Sequence, residues 1–99
     1  MLIVKDLDKL EIYKMTYWST YFKYNNKKYM FHTKDDWHDG ITCLYSKHDN
    51  GKLDELITCM EGDFCSEAYK LKKKKSMPYK YIDKKEFCNI FRDFIKLEI

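Results

Sequence analysis

The chain has 99 residues, 44% hydrophobic, 35% charged and 17% aromatic, with 19 basic and 16 acidic residues for a net charge of +3. That length suits one domain, residues 1–99, and the aromatic content argues against disorder. No stretch is long and apolar enough for a membrane helix, and Lys5, Asp6, Asp8 and Lys9 do not fit a signal peptide, so a cytoplasmic location is expected.

In chain order, residues 2–4 read as a short strand. Residues 11–24 (EIYKMTYWSTYFKY) are dense in the aromatic and β-branched side chains that suit a pleated surface. Asn25-Asn26 supplies a two-residue turn, because Asn tolerates positive φ. Residues 27–33 are then the return strand of a hairpin spanning 11–33. A two-residue turn sets Phe22 against Tyr29, Thr20 against Phe31 and Trp18 near Thr33. Trp18, Phe22, Tyr29 and Phe31 are assigned to the core. Tyr17, Tyr21, Met30 and His32 fall on the opposite face, which is covered by another element or binds a partner.

Residues 34–40 (KDDWHDG) read as a loop. Residues 41–47 alternate weakly as a third strand, and 48–51 (HDNG) form a turn. Leu53, Leu56, Ile57 and Met60 recur at helical spacing, with Gly62 placed to end a helix. Residues 64–72 fit a second helix or a strand. Asp83 can cap a helix over 83–97, whose stripe Phe87, Ile90, Phe91, Phe94 and Ile95 needs an apolar partner. The fold expected is α+β: a small antiparallel sheet with that C-terminal amphipathic helix packed on one face.

Cys43, Cys59, Cys65 and Cys88 contain no C-x-x-C pair, so four reduced, mostly buried thiols are expected. His32, Asp35, Asp36, His38 and Asp39 form the sharpest polar cluster. It is a weak candidate for a divalent metal or for general acid–base work in a hydrolase, against the plainer reading of a solvated loop. No P-loop, dinucleotide fingerprint or metalloprotease motif is present; no cofactor is expected, and a non-enzymatic protein is favoured.

Residues 49–67 carry six acids against Lys52, and residues 70–85 carry eight lysines against Asp83. Lys72, Lys73, Lys74 and Lys75, with Tyr69, Tyr79 and Tyr81 around them, could grip a phosphate backbone while tyrosines stack on bases; a solvated edge is the alternative. Eighteen of the 19 basic residues are Lys, and Arg92 is the one Arg, a poor composition for reading DNA sequence. The acidic segment favours a protein partner over direct nucleic-acid binding. Short, Lys- and Tyr-rich, motif-free chains are common among phage and mobile-element proteins, many of which inhibit a host nucleic-acid enzyme as anti-CRISPR proteins do. A partner of that class is the expectation, with nucleic-acid binding through residues 70–85 as the alternative.

Overall fold

The structure, a computed structural model, describes residues 1–34 and 40–99. The candidates Asp35, Asp36, His38 and Asp39 lie outside the described residues.

Strand β1 (Leu2–Val4) leads through a 3-10 turn at Leu7–Lys9 to β2 (Leu10–Met15), β3 (Ser19–Tyr24), β4 (Lys27–Lys34), β5 (Ile41–Lys47) and β6 (Leu53–Glu61). These last five form one antiparallel meander in the order β2-β3-β4-β5-β6. Helix α1 (Phe64–Tyr69), a 3-10 turn at Tyr79–Tyr81, helix α2 (Lys84–Ile90) and strand β7 (Ile95–Leu97) follow. β7 returns to pair in parallel with β1, Leu2 against Ile95 and Val4 against Leu97. The α+β class is as expected.

Asn25 and Asn26 both have positive φ (53° and 66°) and join β3 to β4. Such a turn twists the same way as the strands it joins. Phe22 then faces Tyr29 and Thr20 faces Phe31. The first arm of the expected hairpin is not one strand, however. Thr16 N–H donates to the Ser19 carbonyl at 2.8 Å, and Ser19 N–H donates to the Thr16 hydroxyl at 3.0 Å. This side-chain turn breaks residues 11–24 into β2 and β3, which fold back on each other. Trp18 sits in the turn at 38% exposure and leaves the core set.

Residues 53–60 are not helical. The turn at 48–51, with Gly51 at φ +86°, sends the chain back antiparallel to β5 as strand β6. Two register irregularities between Thr42 and Tyr45 break the period of two, so the apolar residues of β6 mimic helical spacing. Gly62 does not end a helix; its φ of +139° turns β6 into α1. A β-carbon there would come within 2.6 Å of the Phe64 ring.

The C-terminal helix is shorter than expected. The Asp83 carboxylate accepts from Lys85 N–H and Glu86 N–H at 3.0 and 3.1 Å and starts α2. The helix stops at Ile90, and Phe94 N–H donates to the Phe91 carbonyl at 2.8 Å in a turn that leads into β7. Phe94 and Ile95 are buried from that turn and strand, not from a helix face. Phe31 of β4 stacks on Phe91 with centroids 3.8 Å apart, and Phe22, Phe87 and Phe94 surround it. This core lies between the inner sheet face and a layer of α1, α2, β1 and β7.

The expectation of four reduced thiols is overturned. The β5–β6 pairing brings Cys43 and Cys59 within 4.5 Å (Cα to Cα), and they form a disulfide. Cys65 and Cys88 are free and buried.

Candidate functional site

Strand alternation gives the sheet a second face. Residues 21, 23, 28, 30, 32, 43, 45 and 47 all point away from the aromatic core by register. Among the described residues, no helix or strand packs on this outer face. It is rich in aromatic and polarizable groups. Met30 of the central strand is the floor, with Tyr21 and Tyr45 as its cross-strand neighbours. Ser19, Tyr21, Met30, His32, Tyr45 and Leu53 line a shallow depression of about 400 Å³. His32 Nδ1 and the Ser19 hydroxyl are hydrogen-bonded at 2.8 Å, which fixes the ring across the strand pair.

Lysines frame the tyrosines. Lys14 and Lys47 hold their Nζ atoms 5.2 and 5.1 Å from the Tyr21 ring centroid. A bulge between Ile12 and Lys14 brings Tyr13 to 6.2 Å from Tyr21, with Lys23 Nζ 5.4 Å from its ring. Burial, then proximity to Tyr21, pushes the Tyr13 hydroxyl pKa up. Lys14, Lys23, Lys28, Lys34 and Lys47 are thus spread over β2 to β5, while Glu55 and Glu61 lie on β6. Lysines run across the face, with carboxylates at both edges, Glu11 on β2 and Glu55 and Glu61 on β6.

Three of the four residues expected together, Tyr21, Met30 and His32, are together here. Tyr17 is not. It packs edge-on to Trp18 at 4.7 Å and reaches Tyr69 at the end of α1 at 6.5 Å. There it joins part of the lysine segment. Lys72 Nζ lies 4.0 Å over the Tyr79 ring, and Met15, Tyr69, Lys72, Lys75 and Tyr79 line a hollow of about 350 Å³. Lys73 and Tyr81 belong to a different groove, where Glu67, Asp83 and Glu86 offset the charge. Lys74 is exposed, and Lys80 Nζ lies 5.2 Å from the Tyr81 ring. The lysine run therefore presents no single basic strip. Tyr13, Tyr45 and Lys47 were missed as face residues. The pairing of Met30 with Tyr45 would have found the last two, but it requires the β4–β5 register, which the sequence does not state.

Burial pushes the Cys65 and Cys88 thiols up to about 11, so both stay protonated and unreactive at neutral pH. Cys43, Cys59 and Glu55 place possible metal-ligand atoms within 4.8 Å of one another, but in the disulfide neither sulfur is a thiolate ligand. Asp54 is hydrogen-bonded to His48, which holds its carboxyl below the ordinary carboxylate range.

No family model, curated protein or solved structure matches the chain. Among the described residues, no helix is long and apolar enough to cross a membrane.

Proposed function

We propose that the chain is a non-enzymatic protein-binding domain that docks its partner on the outer face of the sheet. One observation carries this reading: the sheet has aromatic residues on both faces, and its helices cover only one. Tyr21, Tyr45 and Met30 offer a rigid, low-entropy contact area, the kind that supplies hot spots. The surrounding lysines suit a partner whose apolar contact is rimmed by carboxylates. Within this reading the partner is a cytoplasmic host nucleic-acid enzyme, inhibited as anti-CRISPR proteins inhibit theirs. The chain's size and its Lys- and Tyr-rich composition support that class.

Affinity capture from extracts of the encoding cell tests the reading. A specific partner is expected to be lost, by about tenfold or more, with Tyr21→Asp/Tyr45→Asp. It is expected to be retained with Lys72→Glu/Lys75→Glu. Equal capture by wild type and the face variant contradicts the proposal.

The hollow between Tyr69, Lys72, Lys75 and Tyr79, with Tyr17 alongside, favours a second reading, single-stranded nucleic acid held by stacking and charge. Labelled oligo-dT and oligo-rU test it. Affinity that falls steeply with salt and disappears in Lys72→Glu/Lys75→Glu supports it; no binding at low salt removes it.

A further inference from the structure

Strand β6 closes the sheet, and among the described residues its outer edge pairs with nothing. The other edge strand, β2, has the 3-10 turn at Tyr79–Tyr81 packed against it. A free edge presents a row of unpaired main-chain donors and acceptors and is a template for another strand. Protein edges are blunted by lysine, proline, brevity, other charged side chains or bulges. β6 is guarded only by three carboxylates and by two register shifts against β5 beyond Glu55. It runs nine residues, with neither lysine nor proline, and every residue except Ile57 is exposed. Leu53, Leu56 and Met60 are 40%, 49% and 36% exposed. Pairing to β5 is regular over residues 53–55, so the ladder runs unbroken at that end.

We propose that β6 is a strand-addition site that takes an extended, lysine- or arginine-bearing segment of a partner protein, joined main chain to main chain. The occupant follows from charge. Asp54, Glu55 and Glu61 lie on the strand with no cation among its residues. A second copy of the chain would bring six carboxylates and no cation into one strand pair, a like-charged assembly that repels itself. Nucleic acid would meet the same three charges with its own phosphates. A basic strand neutralises them, and its side chains meet Leu53 on the outer face and Met60 on the opposite face of the sheet. Interface size points the same way. Five strands at about 4.8 Å by about six residues at 3.4 Å give an outer face of about 500 Å². A stable interface takes about 800 Å² per partner. Strand addition at the adjoining edge supplies the difference. This deepens the protein-binding reading and rests on it, and its test leaves Tyr21 and Tyr45 untouched, so the two can fail separately.

The probe is a capped, fluorescein-labelled peptide of alternating Lys and Val, seven residues long, titrated with the intact protein and read by anisotropy. Two controls are the same peptide N-methylated at alternate residues, which keeps charge but cannot pair, and its Glu-Val counterpart. Strand addition predicts at least about tenfold weaker binding for both controls. It predicts a similar loss for Glu55→Lys/Glu61→Lys with the unmodified peptide, with far-UV circular dichroism confirming the variant's fold. Equal binding of the N-methylated peptide reduces the effect to charge attraction and overturns the proposal. So does equal binding of the Glu-Val peptide, or no binding of Lys-Val at about 1 mM protein. Sedimentation showing a dimer that forms through β6 would assign the edge to a second copy and overturn it as well.

Discussion

Cys59→Ser removes the one covalent tie between β5 and β6. The residue is exposed, so the substitution leaves no cavity and the cost falls on chain entropy. The bond closes a loop of sequence separation 16. Cross-linking a loop of that size removes about 3 kcal/mol of freedom from the unfolded chain. A domain of this length holds only about 5–15 kcal/mol in all, so the loss is a large fraction. With a urea m-value of about 2 kcal/mol/M, the midpoint should fall by about 1.5 M. The assay is equilibrium unfolding followed by far-UV circular dichroism, with wild type in dithiothreitol as a second route to the open form. Both should unfold at similar, lower urea. Wild-type protein denatured without reductant should titrate two thiols, from Cys65 and Cys88. Coincident midpoints for wild type and variant, or four thiols in the oxidised protein, would refute the reasoning.

Three further outcomes follow from the core and its caps. Phe31 is fully buried and stacks on Phe91, so Phe31→Ala should cost about 3–5 kcal/mol by denaturant unfolding. Asp83→Ala removes the cap that accepts from Lys85 and Glu86 N–H and should cost about 1 kcal/mol, read as a lower melting temperature. The Cys65 and Cys88 values lie above the unfolded value of 9.0, at about 11, because burial disfavours the thiolate. Folding therefore favours the bound proton. That contribution is intact below pH 9 and is lost as pH rises toward 11, by up to about 1.4 kcal/mol per pH unit for each thiol. Unfolding at pH 8 and pH 10.5 checks this; Cys65→Ala/Cys88→Ala should flatten the loss, and an unchanged slope would contradict it.

The sequence was most legible where a local signal and the tertiary fold agree. Asn25-Asn26 can make a positive-φ turn on its own, and Asp83 can cap a helix on its own. It misled where a partner decides. Leu53, Leu56, Ile57 and Met60 match a helix by spacing, yet pairing with β5 makes them a strand and leaves three of them in solvent. Phe94 and Ile95 continue the helical stripe in sequence, but Phe94 lies in a turn and β1 draws Ile95 into a strand. The Thr16 hydroxyl broke an arm that aromatic density alone made continuous. The outer face was half legible. Tyr21, Met30 and His32 follow from a turn that fixes its own register. Tyr45 and Lys47 depend on the β4–β5 register, and Tyr13 on a bulge. The Cys43–Cys59 bond depends on the β5–β6 pairing and has no spacing signature.

The most direct test of partner docking on the open face is site-specific photocrosslinking in the encoding cell. A benzophenone side chain placed at Tyr45, on the outer face, is compared with one at Asp93, exposed in the turn between α2 and β7. The account predicts one protein adduct from position 45, suppressed by excess wild-type chain but not by Tyr21→Asp, with no matching adduct from position 93. An adduct of equal yield from position 93, or one from position 45 that nuclease removes, would contradict it.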